Sequence, residues 1–146
     1  MCFLLDFLKP PSINVFYVAT AGEVSGMLRS KFNMTVNMRD DYVWYVSEND
    51  WIEIIKGAHS TAPAYRAVTA NQRGFDCDDF ARHLRDYAAC EYMIKGVWEC
   101  WGYTSFGYHA WNLFLTPGGL FETEPQNAEI WLAGSNLDYT ISLILA

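Results

Sequence analysis

The chain has 146 residues, 51% of them apolar and 16% aromatic, with a net charge of −7 and a pI near 4.8. That composition excludes a disordered chain, and the acidic balance argues against a nucleic-acid partner, whose phosphates call for a basic face. The length fits one domain, residues 1–146, with enough chain for a core.

Met1 to Leu8 is apolar, yet it lacks the basic start and small-residue cleavage site of a secretory signal, and Pro10-Pro11 cut it off. Residues 1–12 read as a packing arm, placed on this domain or on a second copy, which admits a homo-oligomer. No apolar run approaches the roughly 18 residues of a membrane span. Without a signal, a cytoplasmic location and reduced thiols are expected.

Ile13 to Thr20 is rich in β-branched and aromatic residues and suits a strand; Gly22 to Phe32 suits a helix. Asp41 to Val46 is a strand by composition. Ser47 to Asp50 cap a helix from Trp51 to about Lys56, with Gly57 as its stop. His59 to Arg73 is a long connection, and it delivers Asn71 and Gln72 to the next stretch.

That stretch is Gly74-Phe75-Asp76-Cys77-Asp78-Asp79-Phe80-Ala81, where a loop turns into a helix running to about Ile94. Asp76 is a good N-cap, and Asp79 sits where a carboxylate reaches back to the free amides of the first turn. Cys77 is then the first helical residue, at the positive end of the helix dipole, a setting that favours thiolate. Three neighbouring aspartates oppose a thiolate, and a bound cation would resolve the conflict.

Val97 to Trp101 reads as a strand, Gly102 to Gly107 as a loop and Tyr108 to Leu115 as a strand. Thr116 to Gly119 form a turn, and Leu120 to Glu124 pair back as a hairpin closed by Pro125. Ile130 to Leu132 and Tyr139 to Leu145 add strands. Helices first and antiparallel strands after them make the expected class α+β. Cys90 and Cys100 fit a helix face and a strand as core thiols. His83, among Arg82, Arg85 and Asp86, reads as a surface or packing residue, and His59 as a loop residue without a partner.

A nucleophilic cysteine needs a base, and the base needs a third group to orient it. His109 opens a strand and can face a cleft. Glu122 and Glu124 lie two apart on the next strand and share a face, so either can hold the imidazole. The order Cys77, His109, glutamate therefore supplies a triad.

Cys77 at a helix start, Gly107 to Asn112 on one strand and Phe121 to Gln126 on the next resemble the papain and transglutaminase-like cysteine-protease superfamily. The calcium-dependent papain-like protease domains of fungal agglutinins and their phage-encoded relatives are the group most similar. The resemblance covers Asn71 to Asn127. It implies a papain-like fold, Cys77 as nucleophile, His109 as base, Glu124 as third member and Gln126 near the site. It also implies calcium or manganese at Asp78 and Asp79, with Asp76 beside them, and no organic cofactor. Gln72 is a candidate oxyanion donor, although it stands one residue nearer the cysteine than the papain pattern has it. The implied activity is hydrolysis of a peptide or amide bond in a peptide or protein substrate, inside the host cytoplasm if the chain is phage-encoded. A cell-wall peptide amidase and an inactive metal-stabilised binding or structural module are the alternatives.

Overall fold

The computed structural model describes residues 12–146. The expected packing arm, and any oligomer made through it, lie outside the described residues except for Ser12. Strand β1 (Tyr17–Thr20) pairs antiparallel with β2 (Tyr42–Tyr45), with Tyr17 opposite Tyr45 and Thr20 opposite Tyr42. Between them runs helix α1 (Ala21–Phe32). Its start is fixed by a reciprocal cap: Thr20 Oγ1 accepts from Glu23 N at 3.2 Å, and Glu23 Oε2 accepts from Thr20 N at 2.7 Å.

Helix α2 (Glu48–Thr61) starts at the Ser47 cap, whose hydroxyl accepts from Asp50 N at 3.2 Å. It continues past Gly57, where a stop was expected. A Cβ on Gly57 would meet Tyr87 Oη at 2.6 Å, so glycine serves the close approach of the next helix rather than a C-cap. That helix, α3 (Cys77–Tyr92), begins at the expected cysteine, after the Asp76 N-cap.

The strands β3 (Val97–Thr104), β4 (Gly107–Thr116), β5 (Gly119–Glu124), β6 (Glu129–Leu132) and β7 (Thr140–Leu145) form one antiparallel sheet in the order β6-β5-β4-β3-β7. The expected Gly102–Gly107 loop is smaller than its composition suggests. Gly102 lies in β3 at a register shift opposite β7, and a Cβ there would meet Thr140 O at 1.9 Å. Only Ser105 and Phe106 make the turn between β3 and β4.

Two apolar clusters bury the sheet's two faces. Val24 and Leu28 of α1 pack with Trp98, Cys100, Trp111 and Leu113. Trp51 and Ile54 of α2, with Leu84 and Ala88 of α3, pack with Val97 and Phe114. The core is pinned by directional bonds as well: Trp51 Nε1 donates to Leu115 O at 2.7 Å. Cys100 is a core thiol, but Cys90 is exposed, because the C-terminal turns of α3 present that side to solvent.

Among the described residues, a five-stranded antiparallel sheet, a two-stranded ribbon and three helices are the architecture, and this corrects the papain-like fold class expected from the resemblance. The motifs behind that expectation fix where one helix starts and where two strands run. They do not fix how seven strands and three helices are arranged.

Candidate functional site

The loop before α3 is built to deliver Cys77. Arg66 and Phe75 exchange backbone hydrogen bonds of 2.9 and 2.8 Å, and Thr69 and Gln72 close a tighter turn inside that ladder. Gly74 is wedged there, since a Cβ would meet Arg66 O at 2.0 Å. Phe75 then packs edge-on against Phe80 of the helix. From below, buried Asn112 holds the helix to the sheet: its Nδ2 donates to Ala81 O at 2.9 Å and to Trp98 O at 3.2 Å. Cys77 is thus a half-buried thiol at the end of an anchored helix.

His109 comes from β4 beyond the part paired with β5, because that pairing begins at Asn112 opposite Thr123. The same register sets Glu124 at the end of β5, diagonally across from His109 and on the same face. His109 Nε2 donates to Glu124 Oε2 at 2.6 Å, leaving Nδ1 for the cysteine. The two side chains are 20% and 7% exposed, so the pair is poorly screened. Burial works against a charged imidazole here, but hydrogen bonds to Cys77 and Glu124 outweigh it and push His109 up to about 9. Near neutral pH the ring is a cation between a carboxylate and a sulfur.

Glu124 is the glutamate that faces the histidine. Its Oε2 also accepts from Tyr139 Oη at 3.1 Å, and its Oε1 from Gln126 N at 3.2 Å. Gln126 therefore orients Glu124 through its backbone. Glu122 points the same way but sits deeper, accepting from Trp131 Nε1. Tyr139 was expected only as a strand residue, and the expectation of His59 as a loop residue without a partner is corrected: it lies in the last turn of α2, where its Nδ1 meets Pro125 O at 3.2 Å. Neither has a local signal, since both reach the Glu124 turn only through the fold.

Gln72 Nε2 donates to Ala67 O at 2.9 Å, across its own turn. One of its two side-chain N–H groups thus braces the loop that carries the cysteine. Of the acidic residues, Asp76 and Asp78 gather beside Cys77, with one potential ligand atom from each of the three inside 4.8 Å of the others. A hydrogen bond to Asp78 raises the Asp76 carboxyl, and that same bond lowers Asp78. Asp76 Oδ1 is buried without a partner, so an oxygen is left over for a cation. Asp79 is otherwise engaged: it accepts from Asp76 N at 3.2 Å and from Arg82 Nη1 at 3.2 Å. Arg82 also reaches Asp78 at 3.0 Å.

No family model matches the sequence, and no curated protein matches it. Solved structures do. A structure of Polyporus squamosus lectin, bound to the human-type influenza-binding epitope Neu5Aca2-6Galb1-4GlcNAc, aligns with a TM-score of 0.68 and 21% identity. The alignment covers 88% of this chain and 49% of that one. A PSL1a-E64 complex aligns with the same TM-score and identity, over 88% of this chain and 51% of that one. The fold is shared with this lectin. The chain spans about half the length of the structures it matches.

These findings overturn the resemblance to the papain and transglutaminase-like cysteine proteases, including its agglutinin protease-domain and phage-encoded groups. The solved structures behind the likeness are named for a lectin, and no protease family is matched. The peptide or amide hydrolase, its thiol-protease description and the alternatives of a cell-wall amidase or an inactive metal-stabilised module fall with it. A short run around a cysteine, a histidine and a glutamate resembles many proteins that need the same local elements, so it carried the family further than its length allowed. Among the described residues no helix is long and apolar enough to cross a membrane.

Proposed function

We propose that the chain carries an activated thiol, in which Cys77 is held as a thiolate beside the His109 cation and forms a covalent bond with an electrophilic carbon of a ligand. The observation that carries this reading is the 2.6 Å contact between His109 Nε2 and the buried Glu124 carboxylate, which favours a charged imidazole and leaves its other nitrogen outside that bond. The reading stops at that bond and assigns no hydrolysis. Asp76 and Asp78 are proposed to hold calcium or manganese, with Asp79 and Arg82 shaping their approach. When bound, the ion would offset the negative charge around the thiolate.

The test is alkylation by iodoacetamide at pH 7, resolved by cysteine, with added calcium and with chelator. Cys77 is expected to react about tenfold faster than exposed Cys90, and faster with calcium than with chelator. Equal rates at the two cysteines would remove the activated thiol; equal rates with calcium and chelator would remove the ion.

A second reading, saccharide binding, is favoured by the sugar-bound lectin among the structural neighbours. Tyr42 and Trp44, on one face of the β1–β2 ribbon and both exposed, offer rings on which a pyranose could stack. Titrating the native protein and Trp44→Ala with that sialylated trisaccharide should show saturable binding weakened about tenfold by the substitution. An isotherm flat for both proteins rejects it.

A further inference from the structure

Strand β7 ends the large sheet on one side, and its outer edge is open. It pairs with β3 alone, and among the described residues no backbone group from Thr140 to Leu145 bonds to anything on the other side. Edge strands are usually blunted by charge, proline or a bulge, because unpaired N–H and C=O groups invite a further strand. Strand β7 carries no charged residue and no proline. Its register shift lies at Gly102, so Leu143 to Leu145 pair with β3 without interruption. Leu143 and Leu145 stand opposite Trp101 and Glu99 and share their face of the sheet, yet they are 43% and 38% exposed. They border a cleft of about 820 Å³, walled by α3, by the segment from Thr35 to Asp40 and by β7 itself.

The chain is acidic, yet four of its ten lysines and arginines line this cleft: Arg39, Arg82, Arg85 and Lys95. Two are engaged, since Lys95 holds Asp40 at 2.9 Å and Arg82 holds Asp78 at 3.0 Å. Arg85 comes no closer than 3.9 Å to the buried Glu99, beyond hydrogen-bond reach, and Glu99 takes its own bond from Trp101 Nε1 at 2.7 Å. Asp86 is the remaining acid at the rim. Among the described residues Arg39 and Arg85 donate no hydrogen bond to a protein acceptor, and Arg85 is only 32% exposed. A half-buried guanidinium with idle donors is suited to a carboxylate held through two of its N–H groups. Independently of the thiol and saccharide readings, we infer that the β7 edge docks an extended acidic segment of another protein. The segment's backbone adds a strand to the sheet. Of its cleft-facing side chains, two residues apart, apolar ones lie on Leu143 and Leu145 and an acidic one meets Arg85. Arg39 adds positive charge at the rim.

The experiment uses a short fluorescein-labelled peptide whose alternate residues are valine, glutamate and valine, with threonines between, and a second peptide with lysine for glutamate. Fluorescence anisotropy with the native protein should show saturable binding of the glutamate peptide and binding about tenfold weaker for the lysine peptide. Amide hydrogen exchange across residues 140–145 should slow when the glutamate peptide is bound. Arg85→Lys keeps a positive charge beside Glu99 but lacks the planar fork, and it should weaken binding about fivefold. Leu143→Ser removes an exposed apolar contact without touching the core and should weaken binding by a similar factor. No binding of the glutamate peptide, or equal binding of the two peptides, overturns the proposal. So does native affinity in both Arg85→Lys and Leu143→Ser, or binding that leaves exchange across β7 unchanged. Full protection of β7 before any peptide is added, in a dimer or in a monomer, shows that a second copy or the chain itself covers the edge, and overturns it too.

Discussion

Replacing His109 with alanine is expected to cut the alkylation rate of Cys77 at pH 7 by about tenfold. Only the thiolate attacks, and a free thiol ionising near 8.5 is about 3% thiolate at that pH. A cysteine paired with an imidazolium exists mostly as thiolate, a gain of up to roughly thirtyfold. The more acidic sulfur is also a weaker nucleophile, which trims the difference. Alanine leaves the buried Glu124 carboxylate with the Tyr139 hydroxyl and the Gln126 backbone N–H as its remaining partners, so some stability is lost as well. His109→Gln separates the two effects: it can still donate to Glu124 but cannot carry the charge. Both variants should bring the Cys77 rate at pH 7 down towards that of Cys90. A His109→Gln protein that is folded and alkylates at the native rate would refute the ion pair.

The second large effect concerns stability and lies one pair of residues away. Glu122 is 1% exposed, between Leu113 and Trp131 on the neighbouring strands. Its Oε1 is buried with no partner. Burial pushes its carboxyl up to about 7, against the pull of Trp131, the Gly134 amide and Lys31. The native state therefore holds this proton more tightly than the unfolded chain, whose carboxyl ionises near 4.5. Stability from this group is fully present below about pH 4.5, falls as the pH rises towards 7, and is level above that. The rise from 4.5 to about 7 corresponds to a loss on the order of 3 kcal/mol. Glu122→Gln does not titrate, yet its side-chain oxygen can still accept from Trp131. Its Tm should exceed the native value by about 5 °C at pH 8 and by little at pH 4. A Tm difference that is the same at both pH values would show that Glu122 is not held protonated.

These two glutamates also show what could be read in advance. Strand alternation puts Glu122 and Glu124 on one face, and the sequence allows no choice between them. The choice comes from the two-residue Pro117-Gly118 turn, which sets Asn112 opposite Thr123 and ends β5 level with the histidine's corner. The start of α3 was legible because its signals are local: a capping aspartate, a carboxylate three residues on and apolar residues at helical spacing. Tyr139 and His59 were not, since they meet the site through contacts made only when distant strands and helices pack. Gln72 shows the opposite limit. Its place in the chain suits an oxyanion donor, and no sequence signal announces that one of its side-chain N–H groups bonds the nearby Ala67 carbonyl. The family expectation failed for a related reason, because a triad's order says little about the surrounding architecture.

The pH dependence of Cys77 alkylation in the native protein tests the central claim most directly, with Cys90 as internal reference. The account predicts that Cys77 reacts about tenfold faster than Cys90 while His109 keeps its proton, and loses that advantage above about pH 9. A Cys77-to-Cys90 rate ratio near one at every pH would contradict the account, leaving the 2.6 Å contact of His109 and Glu124 as a structural pair alone.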